Sequence, residues 1–260
     1  MTLARTALRL ATIAALQGAD ANTGPTIARN RVYDSRIEDF SPETFPADAL
    51  PTIIVLTDED DGDALSRQNG GPPFRRMIKL VLEFAMVQGY DVPVEDGGTA
   101  FVPGYPATDA EHEASLDFLE FQIAQKLASG LDASSVLWRN IIRVWKRDCH
   151  RQVMDQSGVK IAARVLTWDC EISDDQLQIY ETDQPIPAGF DIFPEPMRSV
   201  AKSLDPSSSA YRVAVALANA LVPVAVGPLK GIDYTSIRGS PQTSDNSLQI
   251  NLQLNNTPSP

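Results

Sequence analysis

The chain has very few of the residues from which common catalytic and metal sites are built. Its 260 residues include two cysteines, Cys149 and Cys170, and two histidines, His112 and His150. The cysteines have no disulfide-framework spacing, which is typical of free thiols in a reducing compartment. A Ser-His-Asp triad or a zinc site would have to use one of the two histidines, and neither has a second ligand at metal-binding spacing. These shortages disfavour both kinds of site.

Motifs that hold phosphate groups and long apolar runs are also missing. The sequence has no G-x-x-x-x-G-K-[ST] loop, no G-x-G-x-x-G turn after a strand and no G-x-S-x-G nucleophile elbow. No apolar run approaches the roughly 18 residues that a membrane span needs. Residues 1–21 imitate a weak signal peptide, but Arg9 interrupts the apolar block, so an amphipathic helix is the preferred interpretation. We therefore predict no cofactor and no membrane association.

Positive charge is in deficit, because 22 lysines and arginines face 34 aspartates and glutamates, a net charge of −12. A protein that grips nucleic acid needs a basic surface to neutralise phosphates, so this balance argues against such a role. The apolar content of 43% is enough for a substantial hydrophobic core. The composition predicts an acidic, self-repelling globular chain.

The spacing of apolar residues predicts the order of helices and strands. In chain order these are an N-terminal helix, strands at 26–37, 52–57 and 77–87, helices at 108–130 and 134–156, and a strand at 157–172. The strand at 157–172 is apolar on both faces, so it is expected either to be central or to be covered by a neighbour. The order predicts an α+β fold, in which a small mixed β-sheet carries its helices mainly on one face.

The character of the sequence changes after this region, which predicts two domains. We assign residues 1–178 to the α+β domain and residues 179–260 to a Pro/Ser-rich C-terminal extension with a short helix at about 210–222. A strand is predicted at about 247–254, where four apolar residues alternate with polar ones. These are Leu248, Ile250, Leu252 and Leu254. Such a half-buried strand must add to a sheet edge, its own or a partner's.

An acidic cluster directly follows the strand at 52–57, within a predicted loop at 58–76. Its members are Asp58, Glu59, Asp60, Asp61 and Asp63. An EF-hand alignment fails, because Thr57 and Gln68 would occupy the first and twelfth positions, where carboxylates are required. Consecutive carboxylates on a loop point in divergent directions, so we interpret the cluster as a solvated acidic rim rather than a metal site. The alternative is a divalent-metal hydrolase that uses Asp58, Asp60, Asp61 and Glu83.

A basic stripe on the predicted helix at 134–156 is the natural counterpart of this rim. Arg139, Arg143 and Arg147 recur at helical spacing. Trp138 and Trp145 are seven residues apart, so they lie on one face of the same helix and are expected to be packed rather than exposed. Acidic loop and basic helix could meet across copies of the chain. Head-to-tail contacts of this kind close into rings when the rotation permits. Both clusters are therefore candidate subunit interfaces.

Six short segments follow one another along the first two thirds of the chain: LRLATIAAL, RNRVYDSRIEDF, LPTIIVLTDEDDGD, MIKLVLEFAMV, LDFLEFQIAQKL and GVKIAARVLTWDCEI. Their order resembles that of the tail terminator (tail completion) proteins of long-tailed, lambda-like bacteriophages. In that family an N-terminal helix precedes a Val-Tyr/Phe-Asp-Ser-Arg strand, a Leu-Pro-x-(Ile/Val)-x-Val strand with an acidic turn, a Leu-x-(Ile/Val)-Glu strand and a Gly-x-x-x-Ala-x-Arg-x-Leu segment. The corresponding positions are 32–36, 50–55, 80–83 and 158–166. The resemblance covers about residues 1–175.

The resemblance implies a structural, non-enzymatic function in the virion. Such proteins form a ring, typically a hexamer, on the end of the tail tube, where they stop tube polymerisation and offer a docking surface to head-completion or connector proteins. It implies assembly in the host cytoplasm, a final place at the tail–neck junction, and contact with DNA only as cargo passing through the lumen. The alternatives are another neck or head–tail connector protein and the metal-dependent hydrolase.

Overall fold

A computed structural model of the protein describes residues 3–18, 20, 22–35, 50–65, 68, 73–93, 97–104, 110–156, 159–176 and 187–221. Within them the helices are α1 (Leu3–Leu16), α2 (Ala110–Ser129), α3 (Ala133–Ile141), α4 (Met197–Ser203) and α5 (Ser209–Leu221), with a short 3-10 helix at Gly189–Ile192. The strands are β1 (Val32–Asp34), β2 (Leu50–Ala64), β3 (Phe74–Pro93), β4 (Thr99–Gly104), β5 (Ile142–Gln156) and β6 (Val159–Ser173).

The described strands form one mixed sheet in the order β1-β2-β3-β6-β5, and β4 pairs with the far end of β3. The β1–β2 pair is parallel and every other pair is antiparallel. Of the two alternatives for the strand at 157–172, the structure shows a central strand, because β6 lies between β3 and β5. The predicted α+β class with a small mixed sheet is confirmed as well.

One face of the sheet, here called the inner face, carries the hydrophobic core. On β3 the residues Ile78, Leu80, Leu82 and Phe84 point to this face and are at most 1% exposed. Their cross-strand neighbours on β6 include Leu166, Trp168 and Cys170. Helices α1, α2 and α3 pack on this face. Inner-face residues of the strands, such as Arg147 and Arg164, pair with glutamates of α2. The opposite face is here called the outer face, and none of the described helices packs on it.

Helix α1 is buried on nearly all sides because its sequence is apolar nearly all round. Nine of its 14 residues are buried, among them Leu8, Leu10 and Ile13. It lies between the inner face and a further layer made by α4 and α5. Residues 187–221 therefore add Phe193, Met197 and other side chains to the core. The compact unit runs to Val222, well past the domain boundary that the sequence predicts at residue 178.

The predicted loop at 58–76 is wrong, since most of it is a hairpin. Strand β2 continues to Ala64, and β3 already begins at Phe74. Aspartate disfavours strands when measured alone, but here the acidic residues of β2 face basic residues of β3, as in the pairs Asp63–Arg75 and Glu59–Lys79. Opposite charges across an antiparallel pair stabilise it. The acidic cluster therefore lies on a strand, with a register shift between Thr57 and Asp60.

The predicted helix at 134–156 is also wrong. Only α3, which ends at Ile141, is helical, and the chain continues directly as β5. Ile142 and Val144 are β-branched, and the free edge of β6 offers them a hydrogen-bonding partner along its full length. Tertiary pairing therefore overrides the helical spacing of the charged residues. The arginine stripe is divided between a helix and the two faces of a strand.

Two further expectations need correction, and one group falls outside the description. The strand predicted at 26–37 shrinks to β1, because residues 27–30 form a turn. The helical spacing in α2 predicts one buried face, widened by Phe118 and Phe121. The helix buries the face of Leu116, Leu119, Ile123 and Leu127, but Phe118 and Phe121 are 49% and 59% exposed. The predicted strand residues Leu248, Ile250, Leu252 and Leu254 lie outside the described residues.

Candidate interaction surface

The outer face has an apolar centre with a charged margin. Strand register places Ile54, Glu83 and Val165 in one row and Leu56, Val81 and Thr167 in the next. Val81 and Val165, at the centre, are only 9% and 8% exposed, because their neighbours on the sheet cover them. Charged residues occupy the surrounding positions on β3, β6 and β5, namely Lys79, Asp169, Lys146, Asp148 and His150. An antiparallel sheet with an apolar outer centre can bind a further layer.

One corner of the outer face holds a cluster of Arg75, Trp145 and Glu171, here called the tryptophan corner. Arg75 Nε lies 3.0 Å from Glu171 Oε1, and the Trp145 indole N–H donates to Glu171 Oε2 at 2.6 Å. The Arg75 guanidinium lies 5.3 Å from the centre of the Trp145 ring. Trp145 sits at a register shift in β5 and is 55% exposed. The expectation that both tryptophans are packed is therefore wrong for Trp145, whereas Trp138 is buried on the inner side.

The electrostatics of the tryptophan corner favour a fixed geometry. The hydrogen bond from Trp145 and that from Arg75 lower the pKa of Glu171 below its usual value. Glu171 therefore stays ionised and holds both partners in place at neutral pH. Exposed tryptophan and arginine side chains of this kind are the residue types most enriched at the energetic centres of protein interfaces.

The structure separates the three arginines that the sequence placed on one surface. Arg139 donates to the carbonyl oxygens of Leu127 and Gly130 at the end of α2. Arg147 lies on the inner face and pairs with Glu120 of α2. Arg143 faces outward, opposite Glu171 in the β5–β6 register. A shared basic face of Arg139, Arg143 and Arg147 is therefore wrong, and only Arg143 belongs to the outer face.

The acidic cluster is divided in a similar way. Asp60 points inward and pairs with Arg76, whose guanidinium also donates to Asp174 Oδ1 at 2.9 Å. Glu59 pairs with Lys79 at 2.7 Å. The remaining members, Asp58, Asp61 and Asp63, are exposed. These three exposed carboxylates form the acidic rim on the surface, and Asp63 among them also lies opposite Arg75 of β3.

The group of Arg76, Asp60 and Asp174 is an ion-pair network at one end of the sheet. The side chain of Arg76 is 9% exposed and that of Asp174 is 7% exposed. Burial by itself lowers the pKa of Arg76, but the hydrogen bonds to Asp174 and Asp60 outweigh it and raise the pKa. Burial by itself raises the pKa of Asp174, but the bonds from Arg76 and from two backbone amides lower it overall. The network joins β2, β3 and the end of β6.

The carboxylates of the hydrolase alternative are not brought together. Asp60 is opposite Ile78 on β3, five residues from Glu83, which corresponds to about 17 Å along a strand. The two side chains also point to opposite faces, because five is an odd number of strand positions. In the parts of the chain that the structure describes, no three His, Cys, Asp or Glu residues are grouped so that they could hold a metal ion.

The residues of the tryptophan corner were missed by sequence reasoning. Arg75 and Glu171 were visible as charged residues on strands, and Trp145 was assigned to a helix. A usable signal was the alternation on either side of Arg75-Arg76, which places one arginine outward and the other inward. For the ion-pair network of Arg76, the signal was the Asp174-Asp175 pair after β6, since a carboxylate that becomes buried needs a nearby cation.

Comparison with known proteins leaves the family open. No protein-family model matches the chain, and no curated protein matches it. None of the described helices combines the length and the apolar character needed to cross a bilayer.

Proposed function

We propose that this protein is a structural subunit that assembles into a ring and terminates the tail tube of a long-tailed bacteriophage. The ring, a hexamer by analogy with the family that the sequence resembles, caps the tube and stops its polymerisation. It then presents a docking surface to a head-completion or connector protein. The subunit is assembled in the host cytoplasm, takes its place at the tail–neck junction of the virion, and performs no catalysis.

The observation that carries this proposal is the outer face of the sheet. It carries the exposed tryptophan corner, and no described helix covers it. A face of this composition is suited to contact with another protein surface. If the outer face of one copy binds a different surface of the next copy, the contacts are head-to-tail, and such contacts close into a ring when the rotation permits.

Two further observations support the proposal. The six segments that carry the family resemblance coincide with α1, β1, β2, β3, α2 and β6, so they form the central part of the fold. The net charge of −12 suits a subunit whose ring must let DNA pass without gripping its phosphates.

The test is to follow assembly of the purified chain alone and with polymerising tail tube protein. Native mass spectrometry and light scattering should detect a closed oligomer, and negative-stain images should show tubes that stop growing when the chain is added. A chain that remains monomeric both alone and with tubes contradicts the proposal.

The W145A variant connects this test to the structure. Loss of an interface tryptophan typically costs about 2 kcal/mol, so each subunit contact should weaken by about 30-fold. The matched control is F121A, which removes an equally exposed aromatic side chain from α2, away from the outer face. Equal effects of the two variants on assembly would refute a role for the tryptophan corner.

A second candidate is another component of the neck or head–tail connector. The outer face supports this candidate equally, because a neck or connector protein also assembles with other proteins. Locating the chain in images of the intact particle, at the tube end or elsewhere in the neck, distinguishes the two.

A further inference from the structure

A cavity of about 430 Å³ lies on the inner side of the sheet, between α2, α3 and the strands β5 and β6. Its walls are mostly apolar. They are formed by Ala124 and Ala128 of α2, the rings of Trp138 and Trp168, and Ile142 and Val144 of β5. The two alanines are too small to fill the space between α2 and the edge strand. The volume lies in the range of about 300–1,000 Å³ that is usual for small-molecule pockets.

Two tryptophan rings form the apolar part of the cavity wall. Trp168 is only 4% exposed, and its indole N–H is closed off from solvent, so the ring rather than the N–H faces the cavity. The adjacent Trp138, whose ring centre is 5.2 Å away, donates its N–H to Thr12 Oγ1 at 2.9 Å. Both rings therefore offer carbon surface to an occupant.

The polar group on the cavity wall is the guanidinium of Arg139. Its contacts are the carbonyl oxygens of Leu127 and Gly130, at 3.1 and 2.7 Å. Across the described residues, no carboxylate forms an ion pair with it. Arg147, the other arginine on the wall, is already paired with Glu120. The positive charge of Arg139 is therefore balanced only by carbonyl dipoles, which leaves it able to accept an anion.

We propose that this cavity binds a monocarboxylate with an apolar body, of the chemical class of free medium-chain fatty acids. The hydrocarbon chain lies between the alanine wall of α2 and the tryptophan rings. The carboxylate accepts from Arg139. The inference goes beyond the proposed ring and does not depend on it, because the cavity lies on the inner side of the sheet.

The test is calorimetric titration of the full chain with hexanoate, octanoate and decanoate below their micelle concentrations. We expect saturable binding of one molecule per chain. Each added methylene should tighten binding by up to about fourfold until the cavity is full, after which affinity stops rising. Tryptophan fluorescence should change with the same midpoint.

Three variants assign the binding to this cavity. R139M should weaken octanoate at least tenfold and leave the uncharged octan-1-ol unaffected. K126M is its matched control, because Lys126 is a nearby cation that is already paired with Asp132, and it should change neither ligand. A128F should weaken both ligands, since the new ring fills the cavity from an exposed position on α2 where folding is not at risk.

Several results would overturn the proposal. These are heats that never saturate, equal loss of octanoate and octan-1-ol in R139M, or unchanged binding in A128F. Circular dichroism spectra of all variants confirm that they are folded. A chain that forms rings but binds no carboxylate rejects only the cavity, whereas a monomeric chain that binds octanoate rejects only the proposed ring.

Discussion

Replacing Arg76 by methionine should destabilise the protein far more than its single positive charge suggests. The substitution keeps a long side chain but leaves the carboxylates of Asp60 and Asp174 without their shared cation. Their side chains are 13% and 7% exposed, so water compensates only in part. Breaking a buried pair of this kind costs about 3–5 kcal/mol, and the partial exposure of Asp60 favours the lower end. For a domain of this size, about 3 kcal/mol lowers Tm by roughly 6–12 °C.

The deficit of R76M should also depend on pH. In the folded protein the pKa of Asp174 is below its usual value, so its contribution is present above the unfolded pKa and is lost as pH falls through the folded pKa. In R76M, burial without the cation should raise the pKa of Asp174. The folded variant then takes up protons more readily than the wild type, and the stability difference should shrink between pH 7 and pH 4.

The assay is urea unfolding at pH 7, 5 and 4, at one protein concentration so that assembly does not shift the result. The matched control is K79M, which removes a cation paired with the exposed Glu59 and should unfold close to the wild type. The triple variant D60N/R76M/D174N removes all three charges and should recover part of the loss. The reasoning is refuted if R76M unfolds like K79M at pH 7, or if its deficit is the same at pH 4.

Three further variants or treatments test local features of the fold. G18A should destabilise by about 2 kcal/mol or more, because a Cβ there would lie 1.9 Å from a backbone oxygen, whereas G62A meets only ordinary contacts at 3.4 Å and should unfold like the wild type. Burial, which for Cys149 acts together with a hydrogen bond to a glutamate, raises the pKa of Cys149 to about 11 and that of Cys170 to about 12, so a thiol reagent at pH 8 should react slowly until urea is added. Fast modification of both thiols in the folded protein would contradict this burial. D132A should lower the free energy of unfolding by about 1 kcal/mol, because Asp132 caps α3. Hydrogen bonds hold the pKa of Asp132 below its usual value, so its contribution is lost as pH falls through the folded pKa, and the difference from the wild type should disappear in acid.

The sequence was sufficient where a segment's own pattern settles its structure. The buried residues of α2 recur at helical spacing, and the helix predicted at 108–130 lies close to the observed limits. In β3 the alternation of buried residues predicted the strand at 77–87, but the observed strand runs from Phe74 to Pro93. The α+β class and the placement of helices on one face follow from the order of such elements. For the candidate site, the sequence identified charged clusters of both signs but not their partners.

Tertiary structure alone decided the hairpin of β2 and β3 and the whole of β5. An acidic segment becomes a strand only when basic residues lie opposite it, and Ile142 becomes extended only because β6 has an unpaired edge. The tryptophan corner joins Arg75, Trp145 and Glu171, which are far apart in the chain and adjacent only through sheet register. Local sequence fixes the intrinsic preference of each segment, but a strand's hydrogen bonds and charge partners come from other strands, so their arrangement is a property of the assembled sheet.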